Sequence, residues 1–171
     1  CILNREGEDH ARLRRLMNPA FSPRLIAALR PRFAALADEL IDELAPAGRC
    51  EFMTAFAEPY AARLVTQIFE LPDDTWPALA RWTEQLGLAL GVGVAEHLLN
   101  VEAALDGLFG YADELIASRR ARPGDDFVTR LVQASEDADR LSDQELRDNL
   151  VLLVFGGVDT TRNQLGLAFD L

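Results

Sequence analysis

"LSDQELRDNLVLLVFGGVDTTRNQLGLAFDL", residues 141–171, keeps a helical pattern without a break, yet its middle holds residues ill suited to a buried helix. Ser142 and Glu145 stand at the capping-box spacing, at which each side chain binds the other's backbone amide. From that start the pattern predicts one helix from about Ser142 to Leu171, roughly 30 residues or about 45 Å at 1.5 Å per residue. Leu150 to Phe155 is apolar on every side, so this helix is expected to run through the middle of a domain.

The interruption is Gly156-Gly157-Val158-Asp159-Thr160-Thr161. Each glycine inside a helix costs on the order of 1 kcal/mol relative to alanine. Their bare backbone opens a flat patch that another body can approach. Thr160 lies one turn further on and leans toward the helix N-terminus, so its hydroxyl overhangs the notch. Such a hollow suits a planar ligand and a few ordered waters. Asp159 needs partners or a function in apolar surroundings, and Arg162 at i+3 and Asn163 at i+4 are within reach. Packing offers a plainer account of each feature. The glycines could admit a crossing helix, Thr160 could bond back to the Gly156 carbonyl, and Asp159 could be a solvated salt bridge. Spacing alone leaves both accounts open.

Elsewhere the 3.6-residue period dominates, and no stretch alternates like a half-buried strand. A short helix is expected over about Asp9 to Met17. A long one follows, with Ser22 as N-cap and Pro23 at its first position, ending at "APAG". "CEF" at 50–52 reads as a brief extended segment. Further helices are expected from about Thr54 to Phe69, from Asp73 or Asp74 to the glycines at 87, 91 and 93, from about Glu96 to Arg122, and from Phe127 to Glu136. The class is mainly α, with about seven helices in a single domain spanning 1–171.

Hydrophobic residues make up 49% of the chain and charged residues 26%, a globular composition. The longest apolar run, Leu150 to Phe155, is far too short to span a membrane, and no signal pattern opens the chain. A cytoplasmic location is the expectation. The net charge of −11 argues against nucleic acid as a partner. Cys1 and Cys50 show neither metal-ligand spacing nor a disulfide framework. The chain opens on Cys and stops without a helix-stop signal, which suggests an internal piece of a longer protein.

"GGVDTT" at 156–161 resembles the oxygen-binding motif of cytochrome P-450 monooxygenases, [AG]-G-x-[DE]-T-[TS], in their long central helix. The resemblance implies that the helix crosses the distal face of a haem b at Gly156 and Gly157, that Thr160 steadies bound dioxygen, and that Asp159 feeds protons toward it. "HARLRRLMNPAFSPR" at 10–24 is similar to the family's H-x-R-L-R-R stretch with its following AF(T/S)PR. By that likeness His10 and Arg14 bind a haem propionate. Arg12 and Arg15 would then face outward, where an electron donor of ferredoxin or flavodoxin type docks. Leu152 and Phe155, with Gly156, would face a small hydrophobic substrate, and the glycine-rich 87–93 stretch would be a flexible lid. The likeness covers essentially the whole chain, as the N-terminal-to-middle part of the family's catalytic domain.

The family's cysteine-ligand motif F-x-x-G-x-x-x-C-x-G and its E-x-x-R pair are absent from these 171 residues. The functional expectation is therefore part of a haem monooxygenase. A non-catalytic helical ligand-sensing or interaction domain and a truncated degenerate copy are the alternatives. The isolated polypeptide is expected to be inactive and to give no thiolate-type carbon-monoxide difference band. A normal thiolate spectrum from these residues alone would overturn that expectation.

Overall fold

The computed structural model describes residues 1–134 and 141–169, and among them it shows α-helices and short turns but no strand. Seven helices follow in order: α1 (Gly7–Met17), α2 (Pro23–Leu44), α3 (Glu58–Ile68), α4 (Trp76–Gly87), α5 (Leu98–Ala121), α6 (Phe127–Ala134) and α7 (Asp143–Phe169). The mainly α class and the number of helices agree with the reading of the sequence. The expected end of α6 at Glu136, and Leu171 at the end of α7, lie outside the described residues.

The predicted caps form. Leu25 N donates to Ser22 Oγ at 3.3 Å at the start of α2. At the start of α7, Glu145 N donates to Ser142 Oγ at 3.1 Å and Ser142 N donates to Glu145 Oε2 at 2.8 Å. One expectation fails: residues 50–52 are not a strand. Glu51 instead caps a helical start, accepting Thr54 N at 2.7 Å and Met53 N at 3.2 Å, and Phe52 is already helical. A wide π-type turn over Met53–Ala57 then runs straight into α3. Pro59, early in α3, has no amide to donate, and a widened turn absorbs the missing hydrogen bond.

α7 packs against α3, α4 and α5. Its buried stripe, Leu146, Leu150, Val154 and Val158, repeats every four residues along one face, while Leu152, Leu153 and Phe155 are only half-buried. The helix is thus central to the core on that face and not on all sides. Antiparallel to it runs the π-turn and α3. The Cβ that Gly157 lacks would sit 2.8 Å from Val65 Cγ2, and that of Gly166 would sit 2.5 Å from Met53 Sδ. Arg162 pairs with Glu58 at 3.7 Å between those two points. Close approach of two helices along such a seam requires small residues, and glycine supplies it here.

Two polar ties hold the periphery. Buried Asn149 of α7 accepts Ile2 N at 2.9 Å and donates to Glu145 O at 2.7 Å, fastening the N-terminal segment to the central helix. Arg119 of α5 reaches Asp126 at 3.0 Å and the carbonyls of Phe69 and Glu70 at 3.3 and 3.2 Å, closing the end of α3 where Glu70 turns to positive φ. Asp126 also accepts Thr129 N at 3.0 Å and Thr129 Oγ at 2.7 Å, capping α6. Burial pushes the Asp126 carboxyl up, but the Thr129 hydrogen bonds and the Arg119 guanidinium outweigh it and hold the group below the usual carboxylate range. A depressed folded pKa adds stability above the unfolded value of about 3.9, and that stability is lost as pH falls through the folded value. Asp126 is 4% exposed, so Asp126→Ala, which removes the carboxylate partner of Arg119 and the cap of α6, should lower the unfolding free energy by about 3 kcal/mol near neutral pH. Denaturant titration across pH should show the deficit shrinking below about pH 4.

Candidate active site

The site is built on the face of α7 that carries Leu152, Phe155, Gly156, Asp159 and Thr160. Residues three, four and seven apart share a helix face, so these side chains form one strip. At Gly156 a Cβ would meet nothing within 4 Å, so the notch is open there. Gly157 differs. The space of its missing side chain is taken by Val65, so this glycine is required by the α3 crossing. The pair reads as one motif but does two jobs, because neighbouring helix positions point about 100° apart.

Thr160 Oγ donates to the Gly156 carbonyl, as the packing account allowed. Its proton is thereby engaged and its lone pairs remain for a donor in the notch. Asp159 is held on both oxygens. Arg162 reaches Oδ1 at 2.9 Å and Asn163 reaches Oδ2 at 3.2 Å, the two partners expected from spacing. The Arg162 and Asp159 side chains are 17% and 14% exposed, and Arg162 Nε is buried without a hydrogen-bond partner. Across from Asp159 stands Gly87 at the end of α4, where a Cβ would lie 3.4 Å from Oδ1. Periodicity marked Gly87 only as a loose connection; its contact with Asp159 depends on how α4 meets α7.

Leu152 and Phe155 line a hollow of ≈ 290 Å³ with Leu86 of α4 and Leu105 and Phe109 of α5. The last three went unmarked in the sequence, because apolar residues on an amphipathic helix look alike whether they face core or cavity. The 87–93 connection is half-buried over residues 87–89 and exposed from Leu90, with Val92 fully so, and turns at Gly93 with φ +86°.

On α1, His10 and Arg14 line one hollow of ≈ 700 Å³ with Asn18 and Ser22. The Arg12 guanidinium pairs with Glu145 at the start of α7. That pairing and the Ser142 amide outweigh partial burial and hold the Glu145 carboxyl below its usual range. Arg15, exposed and three positions after Arg12, also borders the hollow of His10 and Arg14. A step of about 100° from Arg14 is enough to flank the hollow without leaving it.

Haem is the group the sequence motifs imply, and two features fit it. Gly156 presents open backbone, and a histidine and arginines border a single hollow able to receive carboxylates. Among the described residues no three His, Cys, Asp or Glu side chains cluster as metal ligands. Cys1 stands at the edge of the Leu152 hollow, and Cys50 is exposed. Among the described residues no helix is long and apolar enough to cross a membrane.

The helical frame with its glycine-notched central helix and His/Arg hollow has counterparts among known proteins. The chain is 34% identical to cytochrome P450 107B1 of Saccharopolyspora erythraea over 96% of its own length and 39% of that protein. It is 33% identical to the mycinamicin IV hydroxylase/epoxidase of Micromonospora griseorubida, covering 96% of this chain and 41% of that one. It superposes on the Bacillus subtilis bacillaene polyketide synthase cytochrome P450 with a TM-score of 0.84 and 32% identity, over 95% of this chain and 41% of that one. No family model matches. The chain belongs to the cytochrome P-450 family and spans about two-fifths of the length of these relatives.

The two glycines should separate in mutants. Gly156→Ala, with open space around it, is expected to raise the unfolding free energy by up to about 1 kcal/mol through helix propensity. Gly157→Ala drives a methyl into Val65, a β-branched side chain that yields poorly, and should cost about 1 kcal/mol net after the propensity gain. Urea unfolding of both variants checks the contrast, and equal shifts would contradict it.

Proposed function

We propose that this chain forms the distal wall and one propionate anchor of a bacterial haem monooxygenase that acts on a small hydrophobic substrate. The observation that carries the reading is the open notch at Gly156, with the Thr160 hydroxyl and the Asp159 carboxylate on the same strip of α7. Haem, when bound, supplies the activation of dioxygen. The chain's own residues do the rest.

His10 and Arg14 hold a propionate by charge and hydrogen bonds, with Arg15 beside them. Leu152 and Phe155 exclude water and hold the apolar body of the substrate against Gly156. Thr160 Oγ, its proton engaged on the Gly156 carbonyl, accepts from a water in the notch and fixes its orientation. Asp159 moves protons. Held by Arg162 and Asn163, its carboxylate rotates off them to pass a proton between solvent and the notch. The 87–93 connection opens and closes the hollow as a lid. Electrons come from a ferredoxin- or flavodoxin-type partner in the cytoplasm, docked at Arg12 and the exposed Arg15.

The test is made on the haem-loaded full-length protein. Thr160→Ala should keep haem and substrate binding while lowering product formed per electron consumed. Asp159→Asn should slow turnover by about 10²-fold and raise the solvent isotope effect, the signature of a lost proton path. His10→Ala with Arg14→Ala should weaken haem retention. Wild-type coupling and rate in both α7 variants would sink the proposal.

A further inference from the structure

Arg162 stands between two carboxylates, and the proposed chemistry uses one of them. Its Nη2 donates to Asp159 Oδ1 at 2.9 Å, and its Nη1 lies 3.7 Å from Oε2 of Glu58, the first residue of α3. Among the described residues these are the carboxylates within 4 Å of it. The Arg162 side chain is 17% exposed and its Nε is buried without a partner, so the bond to Asp159 is the one side-chain hydrogen bond it makes among the described residues. Releasing Asp159 would leave a largely buried cation unpaired, a costly state unless a second carboxylate receives it. Glu58 is in place to do so. Its side chain is 27% exposed, and it lies between the two points where the α3 rod presses closest on α7, Val65 at Gly157 and Met53 at Gly166. Those packing contacts fix its backbone independently of the ion pair.

We propose that Glu58 is a positioning residue for proton delivery: it takes over the Arg162 guanidinium whenever Asp159 swings away and hands it back on return. This rests on the reading of Asp159 as the group that moves protons, and it adds the device that lets that side chain leave its partner. The exchange needs little motion. A charge-assisted N–H···O bond closes at about 2.9 Å, so Nη1 has about 0.8 Å to travel toward Glu58. The two carboxylates face different nitrogens of one planar fork, so one bond lengthens as the other shortens and the cation keeps a partner throughout. Asn163, 3.2 Å from Oδ2, is uncharged and lets go at smaller cost. Beside Oδ1 stands Gly87, with no side chain to crowd the moving carboxylate.

The test uses the haem-loaded full-length protein and two readouts. Urea unfolding measures Glu58→Gln alone and in an Asp159→Asn background. The substitution should change the folding equilibrium constant by no more than about twofold alone, where Asp159 holds Arg162, and by about tenfold in the Asp159→Asn background, where Glu58 is the remaining carboxylate. In turnover, Glu58→Gln should lower kcat by about tenfold with KM unchanged and raise the solvent isotope effect, because the proton carrier leaves Arg162 less often. A role confined to holding α3 on α7 would cost equal stability in both backgrounds and leave the isotope effect as in the wild type. Either result would overturn the proposal. Slow turnover in Asp159→Asn with an unaffected Glu58→Gln rejects the exchange alone, whereas wild-type turnover in Asp159→Asn removes the proton path on which it rests.

Discussion

The close crossing of α3 on α7 is the constraint from which the site follows. Val65 occupies the space a side chain at Gly157 would need, Met53 does the same at Gly166, and Glu58 meets Arg162 between them. These points fix the rotation of α7 about its own axis. Because Gly157 is turned to α3, Gly156, one residue earlier and about 100° round, is turned to open space. A different residue at the crossing would roll the strip of Leu152, Phe155, Gly156 and Asp159 away from the hollow that α4 and α5 wall. The π-type turn before Pro59 belongs to the same constraint, since it carries Met53 and α3 along α7 as one continuous rod.

Charge is arranged around this rod with the same economy. Arg162 binds Asp159 on its own helix and Glu58 on the neighbour, so the acidic side chain at the notch is positioned by the same contact that ties the two helices. Glu145 likewise serves twice, capping α7 and receiving Arg12 from α1, and this draws the helix that carries His10 and Arg14 onto the start of the central helix. Arg119 does a third such job, joining the ends of α3, α5 and α6. Each arginine is planar with several donors, which suits one side chain bridging several elements.

Much of this was legible in the residues. Ser142 with Glu145 and Ser22 with Pro23 marked two helix starts, because capping depends only on neighbours in sequence. Arg162 and Asn163 as partners of Asp159, and Thr160 on the Gly156 carbonyl, follow from the pitch of a single helix. The helical start at Phe52 was hidden, since a three-residue segment with a proline seven positions on carries too little pattern to show a helix. The pairing of Arg12 with Glu145 was hidden because a helix alone shows which residues share a face but not what that face meets.

The sequence by itself determined the helical class, the caps, the local bonds of the α7 motif and the family to which the chain belongs. All of these rest on contacts within about one helical turn or on motifs written in consecutive residues. Only the tertiary structure decided that Gly157 serves α3 while Gly156 faces open space, that Arg12 is taken by Glu145, and that Leu86, Leu105 and Phe109 join Leu152 at one hollow. Those outcomes depend on the mutual rotation of helices. Close packing of many small side-chain contacts sets that rotation, and no single stretch of the chain contains it.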